Sequence, residues 1–146
     1  MGTPALLKVK DEDGRTIVCV YAQCDGYPED FGKDIVDWLR DRRVVNGHGL
    51  DTDLLSNGMG ELAAHLVTFL KNSSPHGHYY LAPEKGCGAE FIYELFPNES
   101  ENFYVGACDL LNMKVSGCSV VSGRNRRLYL GKVCDYYKFL QFQKEV

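Results

Sequence analysis

Within about thirty residues this chain changes its hydrophobic period, and that switch limits what it can fold into. Thr16 to Gln23 (Thr-Ile-Val-Cys-Val-Tyr-Ala-Gln) is rich in β-branched and aromatic residues, the composition of a strand. Asp30 to Arg43 instead repeats Phe31, Ile35, Trp38 and Leu39 at helical spacing, with Lys33, Asp34, Asp37, Arg40 and Asp41 on the other side. The join is Cys24-Asp25-Gly26-Tyr27-Pro28-Glu29. Asp25-Gly26 suits a tight turn and Pro28 suits the start of a helix. Asp30 is a suitable N-cap, and Arg40, Arg42 and Arg43 complement the helix end. Such a strand-to-helix corner gathers backbone N–H groups and short polar side chains, so it is the first place to look for a site.

The remaining elements follow from the same periodicities. Ala5 to Lys10 alternates, and Asp11-Glu12-Asp13-Gly14 joins it to Thr16–Gln23 as a hairpin. Gly58 to Asn72 reads as a second helix, with Met59, Leu62, Ala63, Leu66, Val67 and Leu70 as its apolar stripe. Glu61, His65, Thr68 and Asn72 share its opposite face. His78–Ala82, Phe91–Phe96, Asn102–Asp109 and Leu128–Tyr137 are the stronger later strands, and Met113–Val121 is a weaker one. The expected order is ββααββββ. It predicts an α+β fold, a mainly antiparallel sheet with two helices packed on one face. Strands and helices do not alternate, and no Gly-x-Gly-x-x-Gly follows a strand, so a Rossmann arrangement is excluded. Trp38 shares the stripe of Phe31, Ile35 and Leu39, which predicts a buried anchor.

A chain of 146 residues without a linker, repeat or low-complexity segment predicts one domain over 1–146. The formal charge of −4 disfavours nucleic acid and anionic membranes, whose affinity rests on an excess of Lys and Arg. No segment reaches the ~18 apolar residues of a membrane span. Met1 to Lys8 lacks a basic region leading into an apolar run, and Leu6 stands where a myristoylation motif requires Ser or Thr. A cytoplasmic location is therefore expected. Cys19, Cys24, Cys87, Cys108, Cys118 and Cys134 form no Cys-x-x-Cys, and several lie in apolar strands. Reduced, mostly buried thiols are expected.

Two glycine-bearing corners are the candidate ligand site. Asp25, Tyr27 and Glu29 belong to the first, where Asp25, Glu29 and Asp30 form a small carboxylate cluster and Tyr27 an aromatic with no turn duty. A turn followed by an N-cap explains the carboxylates without a metal, and burial as a plug explains Tyr27 without a ligand. Asn57, Gly58 and Gly60 belong to the second. Free N–H groups, little bulk and the positive helix end suit an anion, although Asn57 as a plain N-cap accounts for much of the pattern. No Gly-Lys-Ser/Thr completes a P-loop, and no cofactor is expected. His76-Gly77-His78 lacks further ligands, so no metal is expected either. Asp25, Glu29 and Asp30 would also suit acid/base work, and Cys24 with His65 or His48 would suit a Cys–His nucleophile pair, but no catalytic residue is assigned. Gly123-Arg124-Asn125-Arg126-Arg127 is a basic turn. Tyr129, Tyr136, Tyr137, Phe139 and Phe142 predict a C-terminal aromatic strand surface through which a homo-oligomer would form.

Val20-Tyr21-Ala22-Gln23-Cys24-Asp25-Gly26-Tyr27-Pro28-Glu29, Asn57-Gly58-Met59-Gly60-Glu61-Leu62-Ala63-Ala64 and Phe91-Ile92-Tyr93-Glu94-Leu95 occur in that order. As a set they resemble a family of small uncharacterised bacterial and phage proteins, over the first two thirds of the chain. Members commonly carry an aromatic or His-containing pair where Gln23-Cys24 stands here, and the Tyr- and Cys-rich final third matches less. The resemblance implies the element order and a host-interaction or defence-related role. The leading expectation is a non-enzymatic module binding a small anionic, nucleotide-like ligand or a protein partner. The alternatives are a small hydrolase using the carboxylate corner with His65 or Cys24, and an oligomeric structural protein. Thiol titration of unreduced, denatured protein is expected to find all six cysteines of the chain; a count below about four would establish disulfides.

Overall fold

The computed structural model describes residues 2–45, 54–84, 88–97, 111–118 and 125–144. Ala5–Lys10 (β1) and Thr16–Ala22 (β2) form the expected antiparallel hairpin, with Ala5 opposite Ala22 and Val9 opposite Val18. In its turn the Asp11 carboxylate accepts the N–H groups of Asp13 and Arg15, each at 2.9 Å. After the corner, a π-helical turn, Pro28–Gly32, runs directly into α1, Lys33–Leu39. Arg43–Val45 (β3) and Leu55–Asn57 (β4) make a small parallel pair ahead of α2, Gly58–Ser73. Tyr79–Leu81 (β5), Phe91–Pro97 (β6), Leu111–Cys118 (β7) and Asn125–Lys132 (β8) follow. A 3-10 turn, Val133–Asp135, then leads into α3, Tyr136–Lys144.

The main sheet has six strands in the order β5-β2-β1-β6-β7-β8. Only β1 and β6 run parallel; the other neighbours are antiparallel. The fold is thus α+β with a mostly antiparallel sheet, as expected, but the order ββααββββ is corrected in two places. The β3–β4 pair intervenes between the helices, and a third helix ends the described chain. Leu128 to Tyr137 is not one strand, because Val133, Tyr136 and Leu140 recur at helical spacing and bury against the sheet. The expected strand Asn102–Asp109 lies outside the described residues.

All three helices cover one face. Ala5, Leu7 and Val9 of β1, Val20 and Ala22 of β2, Tyr93 and Leu95 of β6, and Met113 and Val115 of β7 alternate onto it. They meet Ile35, Val36 and Leu39 of α1, Leu62, Leu66 and Leu70 of α2, and Tyr136 and Leu140 of α3. A smaller cluster on the opposite face joins Leu6, Cys19 and Ala89.

The strand-to-helix corner is pinned from inside. Gly26 donates its N–H to the Thr3 carbonyl at 2.8 Å. The Tyr93 hydroxyl donates to the Gly26 carbonyl at 2.5 Å, and the Tyr136 hydroxyl to the Pro28 carbonyl at 2.6 Å. Phe31 packs edge-on to Tyr93, with ring centres 5.4 Å apart. Gly32 lies against both tyrosine rings, leaving no room for a Cβ. At the sheet margin, Lys71 of α2 donates to the Tyr79 carbonyl of β5 at 3.1 Å.

Burial raises the phenol pKa of both Tyr93 and Tyr136, with Glu29 nearby adding to each. Burial likewise pushes Tyr129 up to about 12. A phenol whose folded pKa is raised keeps its full stabilising contribution below the unfolded value near 10 and loses it as pH rises beyond. Stability is therefore expected to fall from about pH 10 towards 12 in urea denaturation. Tyr136→Phe is expected to cost about 1 kcal/mol at neutral pH, because it removes one of two hydrogen bonds to the buried Pro28 carbonyl, the other coming from the Lys33 N–H, and to flatten that alkaline decline.

Candidate functional site

The two predicted corners do not meet. Gly26 packs on Thr3 and Ala5 at the start of β1. Gly58 lies nearest Glu12, in the hairpin turn beyond the end of β1. The six residues of β1 separate them, about 20 Å of strand. α2 starts beside the hairpin turn and finishes beside Tyr79, which pairs with Ala22 at the corner end of β2. α1 starts at that corner, so the positive end of α2 lies at the other end of β1 from the positive end of α1. The expectation of one face shared by Asp25, Tyr27 and Glu29 with Asn57, Gly58 and Gly60 is corrected on this ground.

Each corner also has structural occupations. Asp25, Tyr27 and Glu29 are exposed, and Asp25 adopts a left-handed backbone (φ 56°). Tyr27 rests its ring near Phe91, 5.9 Å between centres, rather than plugging the corner. At the second corner Gly58 is left-handed (φ 76°), a conformation that glycine adopts at little cost. The Glu61 carboxylate accepts the Asn57 N–H at 2.9 Å. A carboxylate therefore already stands where the helix start was expected to attract an anion.

A different site lies between the helices. The stripe His65, Thr68 and Asn72, with Phe69 beside it, forms one wall of a groove of about 420 Å³; Trp38 and Arg42 form the other. Trp38 is half-buried rather than a full core anchor, because its indole stacks on Phe69 at this margin, 5.4 Å between centres and 22° from parallel. The Arg42 guanidinium lies 3.9 Å from the Trp38 ring centre on the groove side. Stacking of this kind is cation–π attraction. His65 is half-buried, not solvated as a polar-face residue would be. Its Nδ1 shares a 2.8 Å hydrogen bond with the hydroxyl of Ser56, which is fully buried in β4. That bond fixes the ring and leaves Nε2 as the nitrogen available to a ligand. The Thr68 hydroxyl is turned back to the Ala64 carbonyl at 2.9 Å.

The sequence identified the α2 stripe as a polar face but missed Trp38, Arg42 and Phe69 as parts of the site. The spacing of Trp38 and Arg42, four residues apart, is the one signal that could have paired them. The considered Cys24–His65 pair is corrected, since Ser56 holds His65. Cys24 instead meets His78, its Sγ 3.3 Å from Nδ1. His48 lies outside the described residues. Among the described residues, no three His, Cys, Asp or Glu side chains gather closely enough to hold a metal ion. No helix there is long and apolar enough to cross a membrane. Tyr136, Tyr137, Phe139 and Phe142 occupy α3, not a strand, and Tyr136 is core, so the expected aromatic strand surface is corrected. The chain matches no protein-family model, no curated protein and no solved structure.

Because Trp38 is only half-buried, Trp38→Ala is expected to cost about 2 kcal/mol in urea denaturation, below the roughly 3–5 kcal/mol typical of removing a fully buried aromatic. A loss of about 4 kcal/mol or more would place the indole in the core.

Proposed function

We propose that this protein is a binding module for a small anionic, nucleotide-like ligand, and that the ligand occupies the groove between α1 and α2. The observation that carries this reading is the convergence of Arg42, His65 and Asn72 on one groove walled by Trp38 and Phe69. Guanidinium, imidazole and amide groups donate to phosphate or carboxylate oxygens, and the guanidinium does so with a planar fork. Aromatic walls favour a planar, weakly polar remainder such as a base. The Ser56–His65 bond and the Arg42–Trp38 stack hold two of these groups before the ligand arrives, which lowers the ordering cost of binding. The groove replaces the two glycine corners as the location of the anion site.

Trp38 is the chain's single tryptophan, so its emission reports this groove directly. Titration with nucleoside mono- and triphosphates is expected to give a saturable change in intrinsic fluorescence. Arg42→Gln and His65→Gln are each expected to weaken binding by about tenfold, or ~1.4 kcal/mol. No saturable response up to millimolar nucleotide, or unchanged affinity in both variants, would reject the groove.

A further inference from the structure

We propose that Cys24 is a thiol-exchange site that takes up low-molecular-weight disulfides as a mixed disulfide, with His78 as its proton acceptor. Cys24 follows β2 and His78 precedes β5. The β2–β5 ladder continues past both strands, because Gln23 donates its N–H to the His78 carbonyl at 2.8 Å. This holds the Cys24 sulfur 3.3 Å from His78 Nδ1 although the residues are 54 apart in sequence.

The local backbone fixes the pair further. Asp25 and His78 are the two non-glycine residues with left-handed φ among the described residues, 56° and 66°. Asp25 directly follows Cys24 and His78 is its partner, so the backbone on both sides of the contact is held in a sparsely populated conformation. The His78 ring also packs on Tyr79, 4.1 Å between centres. Gly2 lies against the Cα and Cβ of Cys24, where any larger residue would collide. Cys24 is half-buried, whereas Cys19 is enclosed among Leu6 and Ala89. Cys134, also half-buried, provides an internal comparison.

The chemistry balances with the disulfide as the oxidant. The Cys24 S–H proton passes to His78 Nδ1 and the sulfur attacks one sulfur of the disulfide. That S–S bond breaks as the Cys24 S–S bond forms. The leaving thiolate takes the proton back from His78 and departs as a thiol. Cys24 is oxidised, and one half of the incoming disulfide is reduced. The site lies apart from the α1–α2 groove, so it stands or falls independently of ligand binding there.

The test uses the full chain with oxidised glutathione, acid quenching and peptide mass mapping of each cysteine over time. Cys24 is expected to form its adduct about tenfold faster than Cys134, with Cys19 unmodified in the folded protein. His78→Asn keeps a residue tolerant of left-handed backbone and is expected to slow the Cys24 adduct by about fivefold or more, while leaving Cys134 unchanged. Protection of Cys19 in the variant verifies that it is folded. Equal rates at Cys24 and Cys134 in the unsubstituted protein would overturn the proposal, as would an undiminished Cys24 rate in folded His78→Asn. If the variant exposes Cys19, the ranking in the unsubstituted protein decides the question.

Discussion

The β2-to-α1 corner depends on two phenol hydroxyls. Tyr93 rises from the middle of the sheet and Tyr136 enters from the last helix, and each donates to a carbonyl of the corner. The Gly26 carbonyl lies where the strand ladder has ended and the helical bonds have not begun, and the Pro28 carbonyl, which also accepts the Lys33 N–H, gains a second, long-range donor. The tyrosines come from segments 67 and 108 residues away. The corner is therefore completed only when the late strands and α3 are in place. Local turn chemistry starts the bend, and long-range hydrogen bonds fix it. Gly32 is where this arrangement tolerates least, because both rings close on it.

The parts of the fold that were legible in the sequence are those set by local period and capping. The hairpin, the start of α2 at Gly58 and the position of β6 all followed from alternation, helical spacing and glycine placement. The parts that were hidden are those settled by partners. Leu128 to Tyr137 carries three tyrosines among apolar residues and has no strong break, and its division after Lys132 depends on Val133 and Tyr136 reaching the core as a helix. The β3–β4 pair is three residues on each side, too short to show a period. The placement of the two helix starts at opposite ends of β1 was also invisible, and it separates the two glycine corners.

The groove had one legible half. His65, Thr68 and Asn72 occupy one face of α2 by spacing alone, but nothing in a single helix shows what faces it. Trp38 was read as core because it shares a stripe with Ile35 and Leu39. The stripe is wide enough that its margin emerges against Phe69, and there the indole becomes a wall of the groove and a platform for Arg42. The Cys24–His78 contact had no local signal, since only the β2–β5 register brings its members together.

The Lys71 contact bears on how this sheet can be extended. In the β2–β5 register, Tyr80 is paired with Tyr21 between the flanking bonds Gln23→His78 and Ala82→Cys19, so Tyr79 and Leu81 turn their backbone groups outward. The Tyr79 N–H is taken by the Gly77 carbonyl at 2.8 Å, and its carbonyl by the Lys71 ammonium. A β-strand from another chain approaching this margin would meet a residue whose hydrogen bonds are already made, and a positive charge beside it. It could pair there only after displacing an α2 side chain from its own sheet. Lys71 thus works as an end-stop against intermolecular sheet growth, placed on a helix rather than on the strand it protects.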